Sequence, residues 1–442
     1  MKAPFPRFLR VQRWLLFAAV FVAPFNVYRR PAGPVNVSMM RACVAALGVS
    51  LVIDAVARRR KLMMALSEVK WVIAAMLGFV ALDLAENARN VTGLGDTLAG
   101  QHAIFFASVL VLGVGAVVLA VPVRKIRLAC LASCVLPYGL AVEQWIRGTA
   151  NQPLPFESLI GSRGGLDIRR SATASGGTIR PAAAFSDPNF LGVFCAVTFM
   201  IADQHRRRTS GIERAFAIAC QLGSVGVLVI CGSRTGLVAL FAYIGVAVLL
   251  SLGRRHRRLA VAFVIPMAAV LVVVSASAIS VVGRGSASIS TERHLETRLT
   301  AIGVGLAHPI DGIGLGNLGP LLSEPPDRSS SHALPFTLFA EEGILGLLLC
   351  GAALALPIVN LGRVSAGASE LAFALGLAMA LWFYDFTFSI DVSAVWWGLL
   401  VARAAQPRPA AALVHRRARA GAGPRTTRRL GSPFREAAQS GS

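Results

Sequence analysis

The chain has 442 residues, of which 55% are hydrophobic and only 15% are charged, and its mean hydropathy is +0.64. A soluble domain carries roughly 25% charged residues, so this composition excludes a water-soluble globule and predicts a protein embedded in lipid. The formal net charge is +22, but the arginines lie in short clusters between apolar runs, which indicates membrane topology and argues against a nucleic-acid partner.

About twelve apolar runs are long enough to cross a bilayer, because a spanning helix needs about 20 mainly apolar residues. We predict spans at about 14–28, 35–57, 68–86, 102–121, 128–146, 185–203, 211–232, 235–252, 259–282, 334–359, 370–388 and 391–405. The predicted fold is an all-α polytopic membrane protein. A single multi-spanning domain covers 1–405, and a basic, disordered cytoplasmic tail covers 406–442.

Basic clusters follow the second, fourth, sixth and eighth predicted helices, at 58–61, 124–127, 206–208 and 254–258. Because cations concentrate on the cytoplasmic side of a membrane, both termini are predicted in the cytoplasm of an inner-membrane protein. The short external pair Arg29-Arg30 is an exception to this pattern.

Two long segments are then predicted outside, at about 147–184 and 283–333. The second contains a candidate surface helix, a Gly-rich turn and a Pro/Ser stretch, so the external loop has short helices of its own. Both segments carry cations that the topology rule does not require: Arg147, Arg163, Arg169, Arg170, Arg180, Arg284, Arg293, Arg298 and Arg328. These arginines predict a binding site for an anionic group at the outer face.

Arg234 lies between two apolar runs, in ICGSRTGLVAL. A guanidinium near the membrane boundary costs several kcal/mol unless it is paired. It either snorkels or forms an ion pair within the helix hairpin, or it serves as a fixed ligand whose planar fork matches phosphate oxygens. Arg298 lies on the candidate surface helix, where a solvated arginine is the ordinary alternative.

His332 stands where the polar loop turns into a helix, in SSHALPFTLFAEEGILGLL. Glu341 and Glu342 follow inside an apolar run, which is an expensive place for carboxylates. Gly343 and Gly346 would allow close packing of this helix. Glu341 could orient His332 only if the backbone bends back.

Together these segments resemble the O-antigen ligase and O-antigen polymerase superfamily of bacterial envelope glycosyltransferases. The resemblance covers about 185–350, and four motifs carry it in the family's order: FSDPNFLG (185–192) with Asn189, GSRTGLVAL (232–240) with Arg234, Arg298 followed by AHPIDGIGLGN (307–317), and His332 followed after ten residues by Gly343 and then Gly346. Two positions depart from the family pattern. Ala333 replaces a small polar residue, and Ile302 or Gly303 stands where an aromatic is usual.

The resemblance implies metal-independent transfer of a glycan, with no cofactor, from an undecaprenyl-diphosphate carrier to a sugar hydroxyl of a glycan or glycolipid acceptor on the external face. Arg234 and Arg298 would bind the diphosphate and His332 would act as the base. Glu341, Arg293 and Asn189 are candidate supporting residues. Neither the sugar nor the choice between ligation and polymerisation follows from the motifs.

Two other classes remain open. The first is a twelve-helix secondary transporter, because Asp54, Asp83, Glu86 and Asp385 lie in or near apolar runs and transporters place ionisable residues inside the membrane. The second is a flippase-like or purely structural envelope protein.

Overall fold

The computed structural model describes residues 6–25, 29–32, 35–89, 95–147, 180–185, 187–251, 286–322, 333–363, 368–383 and 391–406. Two strands, β1 (Arg29–Ala32) and β2 (Val35–Ser38), form an antiparallel hairpin. The helices α1 to α15 are, in chain order, Pro6–Val22, Met39–Ile53, Arg59–Glu68, Lys70–Asn87, Gly95–Val118, Val123–Ser133, Val135–Arg147, Pro188–Arg206, Gly211–Cys231, Arg234–Ser251, Ser286–Ala307, Leu318–Leu321, Leu334–Arg363, Ala368–Phe383 and Asp391–Ala404.

A helix occupies each predicted span except 259–282, which lies outside the described residues. Within those residues, four helical segments are long and apolar enough to cross a membrane: Gly95–Val118, Val123–Ile146, Gly211–Cys231 and Leu334–Leu361. The pair Arg59–Glu68 and Lys70–Asn87, bent by 74°, makes a fifth if it is counted as one span. The helical membrane architecture is confirmed, and the number of twelve spans stays a prediction.

The second predicted span, 35–57, begins later than expected. Residues Val35–Ser38 pair with β1, and α2 starts only at Met39. The Ser38 side chain accepts a hydrogen bond from Arg41 N at 3.2 Å and so caps the helix. An N-cap needs extended backbone, which is why the chain stays in a strand up to this serine.

Two helices, α8 and α15, lie at the centre of the molecule and are buried along nearly their whole length. Glycines let α15 pack closely on α5. A Cβ at Gly113 would lie 2.8 Å from Val401 Cβ, and a Cβ at Gly398 would lie 3.1 Å from Leu112 Cβ. Close approach through small residues is the usual way in which membrane helices associate.

At one end of the molecule, Glu370 binds three arginines that are far apart in sequence: Arg127 on α6 at 3.2 Å, Arg208 just after α8 at 2.9 Å and Arg403 on α15 at 3.3 Å. This brings the starts of α6 and α14 together with the ends of α8 and α15, and we call it the Glu370 end. The basic residues at 124–127 and 206–208 lie here. The start of α8 and the start of α5 therefore lie at the opposite end.

Candidate functional site

The helix α13 is interrupted at Gly343, which has φ 65° and ψ −159°. An interruption frees backbone groups that must find other partners inside a membrane. The Gly-rich turn at 308–317 supplies them. Three hydrogen bonds join this turn to the helix: Ile313 N to the Ala340 carbonyl at 3.0 Å, Gly314 N to the Glu341 carbonyl at 2.9 Å, and Ile344 N to the Pro309 carbonyl at 2.9 Å.

Two glycines make this contact sterically possible. A Cβ at Gly343 would overlap the carbonyl group of Ile310, and a Cβ at Gly312 would overlap that of Glu341. Both glycines have positive φ, which other L-residues rarely adopt. Gly343 therefore permits close packing, as predicted, but it packs against the turn.

The Glu341 side chain is buried and accepts a hydrogen bond from Leu318 N at 3.1 Å. Leu318 is the first residue of the short helix α12, so Glu341 fixes the far side of the Gly-rich turn. This contact gives Glu341 a structural function. His332 lies outside the described residues, so the predicted contact between Glu341 and His332 stays a prediction.

Arg89, which follows α4, holds the turn from the other side. Its guanidinium pairs with Glu86 at 2.9 Å and with Asp311 at 3.0 Å, and it donates to the carbonyls of Asp311 at 3.1 Å and Gly312 at 3.2 Å. The sequence analysis did not single out Arg89. The available signal was an arginine in a short, otherwise cation-free segment predicted to be external, the same kind of exception as Arg29-Arg30.

Arg298 lies on α11 and is half-buried, and desolvation lowers the pKa of its guanidinium. The helix packs against α13, with Gly305 facing the ring of Phe339. A small apolar cluster joins α11, the segment around α12 and α13: Ala301, Leu318, Leu322 and Ala340. Arg293 lies on the same helix.

Arg234 begins α10, directly after the turn that ends α9. Gly232 closes α9 in the left-handed conformation, with φ 58°, and the Ser233 hydroxyl accepts from Gly236 N at 3.1 Å. A Cβ at Gly236 would overlap the Gly192 carbonyl of α8. Residues 232–236, which we call the Arg234 turn, therefore lie in direct contact with the start of α8.

Arg180 joins this turn to Asn189. It donates to the carbonyls of Cys231 at 2.9 Å and Gly232 at 3.2 Å, and to Asn189 Oδ1 at 3.2 Å. Arg180 therefore brings Asn189 and the Arg234 turn together. The sequence analysis named this arginine only as one of several cations in a predicted external segment.

The acidic residues behind the transporter alternative have local partners in the described part of the chain. Asp54 pairs with Arg58, Glu86 with Arg89, and Asp83 with His102 at 3.0 Å. Asp385 lies outside the described residues.

Residues 218–351 match the model of a protein family described as O-antigen ligase. No curated protein matches the chain. The matched segment contains Arg234, Arg298, His332 and Glu341, together with the Gly-rich turn and the interrupted helix. The resemblance predicted from the motifs is confirmed over this segment, which includes three of the four motifs; the motif at 185–192 lies before it.

Proposed function

Given the O-antigen ligase domain at 218–351, we propose that this chain transfers a glycan from an undecaprenyl-diphosphate carrier to a sugar hydroxyl of a glycan or glycolipid acceptor. The reaction takes place at the external face of the inner membrane and does not depend on a metal. The family match carries this proposal, because the residues needed for the chemistry fall within it.

The donor has a polyprenyl tail that stays in lipid, so its diphosphate lies at headgroup depth. The leaving diphosphate is stabilised by charge more than by a proton. Arg234 starts a helix at the end opposite Glu370, and Arg298 lies half-buried on the loop helix. Charge-assisted hydrogen bonds contribute about 1.5–3 kcal/mol each, so two arginines would account for several decades of rate.

The acceptor is a neutral hydroxyl, which reacts faster when a base removes its proton. A histidine has a pKa near neutrality and suits this step, and His332 is our candidate. Attack from the side opposite the diphosphate inverts the anomeric centre. Asn189 and Glu341 act as positioning residues. Asn189 accepts a hydrogen bond from Arg180, which also binds the Arg234 turn, and Glu341 accepts one from Leu318 N at the end of the Gly-rich turn that follows α11. Arg293 adds positive charge to the same helix.

The test is turnover per folded molecule with a purified lipid-linked donor. Arg234→Lys should lose activity almost as badly as Arg234→Ala, because lysine keeps the charge but not the bidentate fork. His332→Ala should abolish turnover and still bind donor, because a base acts on the acceptor. The matched control is Arg124→Lys, an exposed arginine paired with Glu213 at the Glu370 end, which should remain active.

Arg234→Lys or His332→Ala with normal turnover would contradict the assignment of these residues. If substitution only lowered the amount of folded protein, Arg234 would have a structural role alone. A deletion strain separates the classes of function: a transferase predicts accumulation of lipid-linked glycan, whereas the transporter alternative predicts loss of solute uptake.

A further inference from the structure

Three buried side chains meet where α4, α5 and α13 come together: Asp83, His102 and Glu342. Each offers one ligand atom, and these atoms all lie within 4.8 Å of one another. His102 Nδ1 lies 3.0 Å from Asp83 Oδ2. Asp83 and Glu342 are fully buried, and His102 is 6% exposed. No sequence motif predicts this cluster, because its members come from three separate helices.

Glu342 is the unusual member of the cluster. Among the described residues, no N–H or O–H group donates to either of its carboxylate oxygens or to Asp83 Oδ1. The Asp83 carboxylate is near enough to act on Glu342 electrostatically, as are those of Glu86 and Glu341. The pocket therefore contains more negative charge than its described neighbours balance, and buried charges require compensation.

The Glu342 carboxylate is also held in place by packing. A Cβ at Gly346 would overlap the Glu342 side chain, so this glycine provides the space that the carboxylate occupies. The interruption at Gly343 separates Glu342, at the end of the first part of α13, from the part that follows. The oxygens thus point into the cluster through local backbone geometry, which is the kind of preorganisation that a ligand site needs.

We propose that Asp83, His102 and Glu342 bind a divalent cation that joins α4, α5 and α13. Two carboxylates and a neutral imidazole become electrically neutral with one such ion. Oxygen and nitrogen ligands lie about 2.0–2.2 Å from the metal, so neighbouring ligands are about 3 Å apart and opposite ones about 4.2 Å apart. His102 Nδ1 and Asp83 Oδ2 have the spacing of neighbouring ligands at 3.0 Å, and all three ligand atoms lie within 4.8 Å of one another, so a small contraction brings the set to coordination distance.

A shared proton is the rival way to compensate the charge. It would lie between the carboxyl groups of Glu342 and Asp83, which are within hydrogen-bonding reach of each other. A shared proton makes the melting temperature depend on pH, whereas an ion makes it depend on the metal concentration. The ligand set suits Mn²⁺ or Zn²⁺, since carboxylates favour the first and imidazole the second. The ion has a structural function, and glycan transfer does not pass through it.

The experiment uses the full chain in lipid nanodiscs, first stripped with a chelator and then titrated with Mn²⁺ and, in a separate sample, with Zn²⁺. We expect one Mn²⁺ per chain by elemental mass spectrometry and a melting temperature that rises by a few degrees at saturation. Glu342→Gln and Asp83→Asn should weaken binding at least about tenfold. Glu86→Gln, which removes a nearby carboxylate outside the ligand set, should keep both the binding and the rise.

A second measurement needs no variant. Mn²⁺ bound to the wild-type chain with ¹⁵N-labelled histidine should show nitrogen coupling in pulsed electron paramagnetic resonance. Absence of stoichiometric binding of both Mn²⁺ and Zn²⁺, or bound Mn²⁺ without nitrogen coupling, would overturn the proposal. The proposal would also fail if Glu86→Gln lost binding as severely as Glu342→Gln. A melting temperature that depended on pH and not on the ion would assign a shared proton to the cluster instead.

Discussion

Replacing Gly343 by alanine tests how the interrupted helix and the Gly-rich turn depend on each other. The glycine has φ 65° and ψ −159°, a region that is essentially restricted to glycine, and forcing another residue into it costs about 1–3 kcal/mol. The added methyl group would also overlap the Ile310 carbonyl group and lie 2.7 Å from Asp311 N.

The strain can be relieved in two ways, and both are costly. If the turn stays in place, overpacking adds about 1–3 kcal/mol to the backbone strain. If the turn withdraws, three hydrogen bonds to α13 are lost, each with a net contribution of about 0.5–1.5 kcal/mol. We therefore expect Gly343→Ala to lower the free energy of unfolding by about 2–5 kcal/mol.

The assay is thermal unfolding of detergent-purified protein, followed by turnover per folded molecule. Gly351→Ala is the matched control, because it lies on the same helix and a Cβ there meets nothing within 4 Å. Its stability should change by less than about 1 kcal/mol. If the Gly343→Ala protein were as stable as the Gly351→Ala protein, the interpretation that close contact between α13 and the Gly-rich turn requires glycine at 343 would be refuted.

Three further predictions follow from the topology, the proposed chemistry and the Arg180 network. Reporter fusions at Ser329 and in the tail should report opposite sides of the membrane, and finding both on one side would contradict the assignment of the active face. Turnover per folded molecule should be unchanged by a chelator when it is measured below the melting temperature of the metal-free protein. A rate that is lost with the chelator and restored by magnesium or manganese would contradict stabilisation of the diphosphate by arginine alone. Arg180→Ala should lower the free energy of unfolding by about 1.5–3 kcal/mol, because charge-assisted hydrogen bonds to the Cys231 and Gly232 carbonyls are lost. The control Arg124→Ala removes an exposed arginine and should cost less than about 1 kcal/mol. Equal melting temperatures for the two variants would contradict a stabilising function of the Arg180 hydrogen bonds.

Hydropathy predicted the helices well because the bilayer dictates the length of an apolar span. It could not predict that α13 is interrupted. The run LFAEEGILGLLL is continuous in composition, and the break at Gly343 depends on a turn that is distant in sequence and supplies the missing hydrogen bonds. The hairpin at 29–38 was also missed, since two short strands produce no strong hydrophobic period.

The motifs singled out Asn189, the Arg234 turn, the Gly-rich turn and the helix carrying Glu341, but they did not predict which of these segments are in contact. The residues that join these parts, Arg180 and Arg89, were not predicted as connectors. Each donates to two backbone carbonyls of a segment distant in sequence, and such contacts leave no pattern in the local sequence. The cluster of Asp83, His102 and Glu342 could not be predicted for the same reason, because its side chains come together only when three helices pack.

The attachment of α11 follows from the way in which the backbone groups freed by the break in α13 find partners. An interrupted helix is tolerated in a membrane only where protein covers the freed backbone groups, and the turn at 308–317 does so through main-chain hydrogen bonds. Because α11 leads directly into this turn, the same bonds determine where α11, and with it Arg298, lies against α13. Arg89 fixes the turn to α4 from the other side. A change at the break should therefore alter the stability of the span and the position of the proposed diphosphate ligand together, whereas a change at the exposed face of α11 should affect neither.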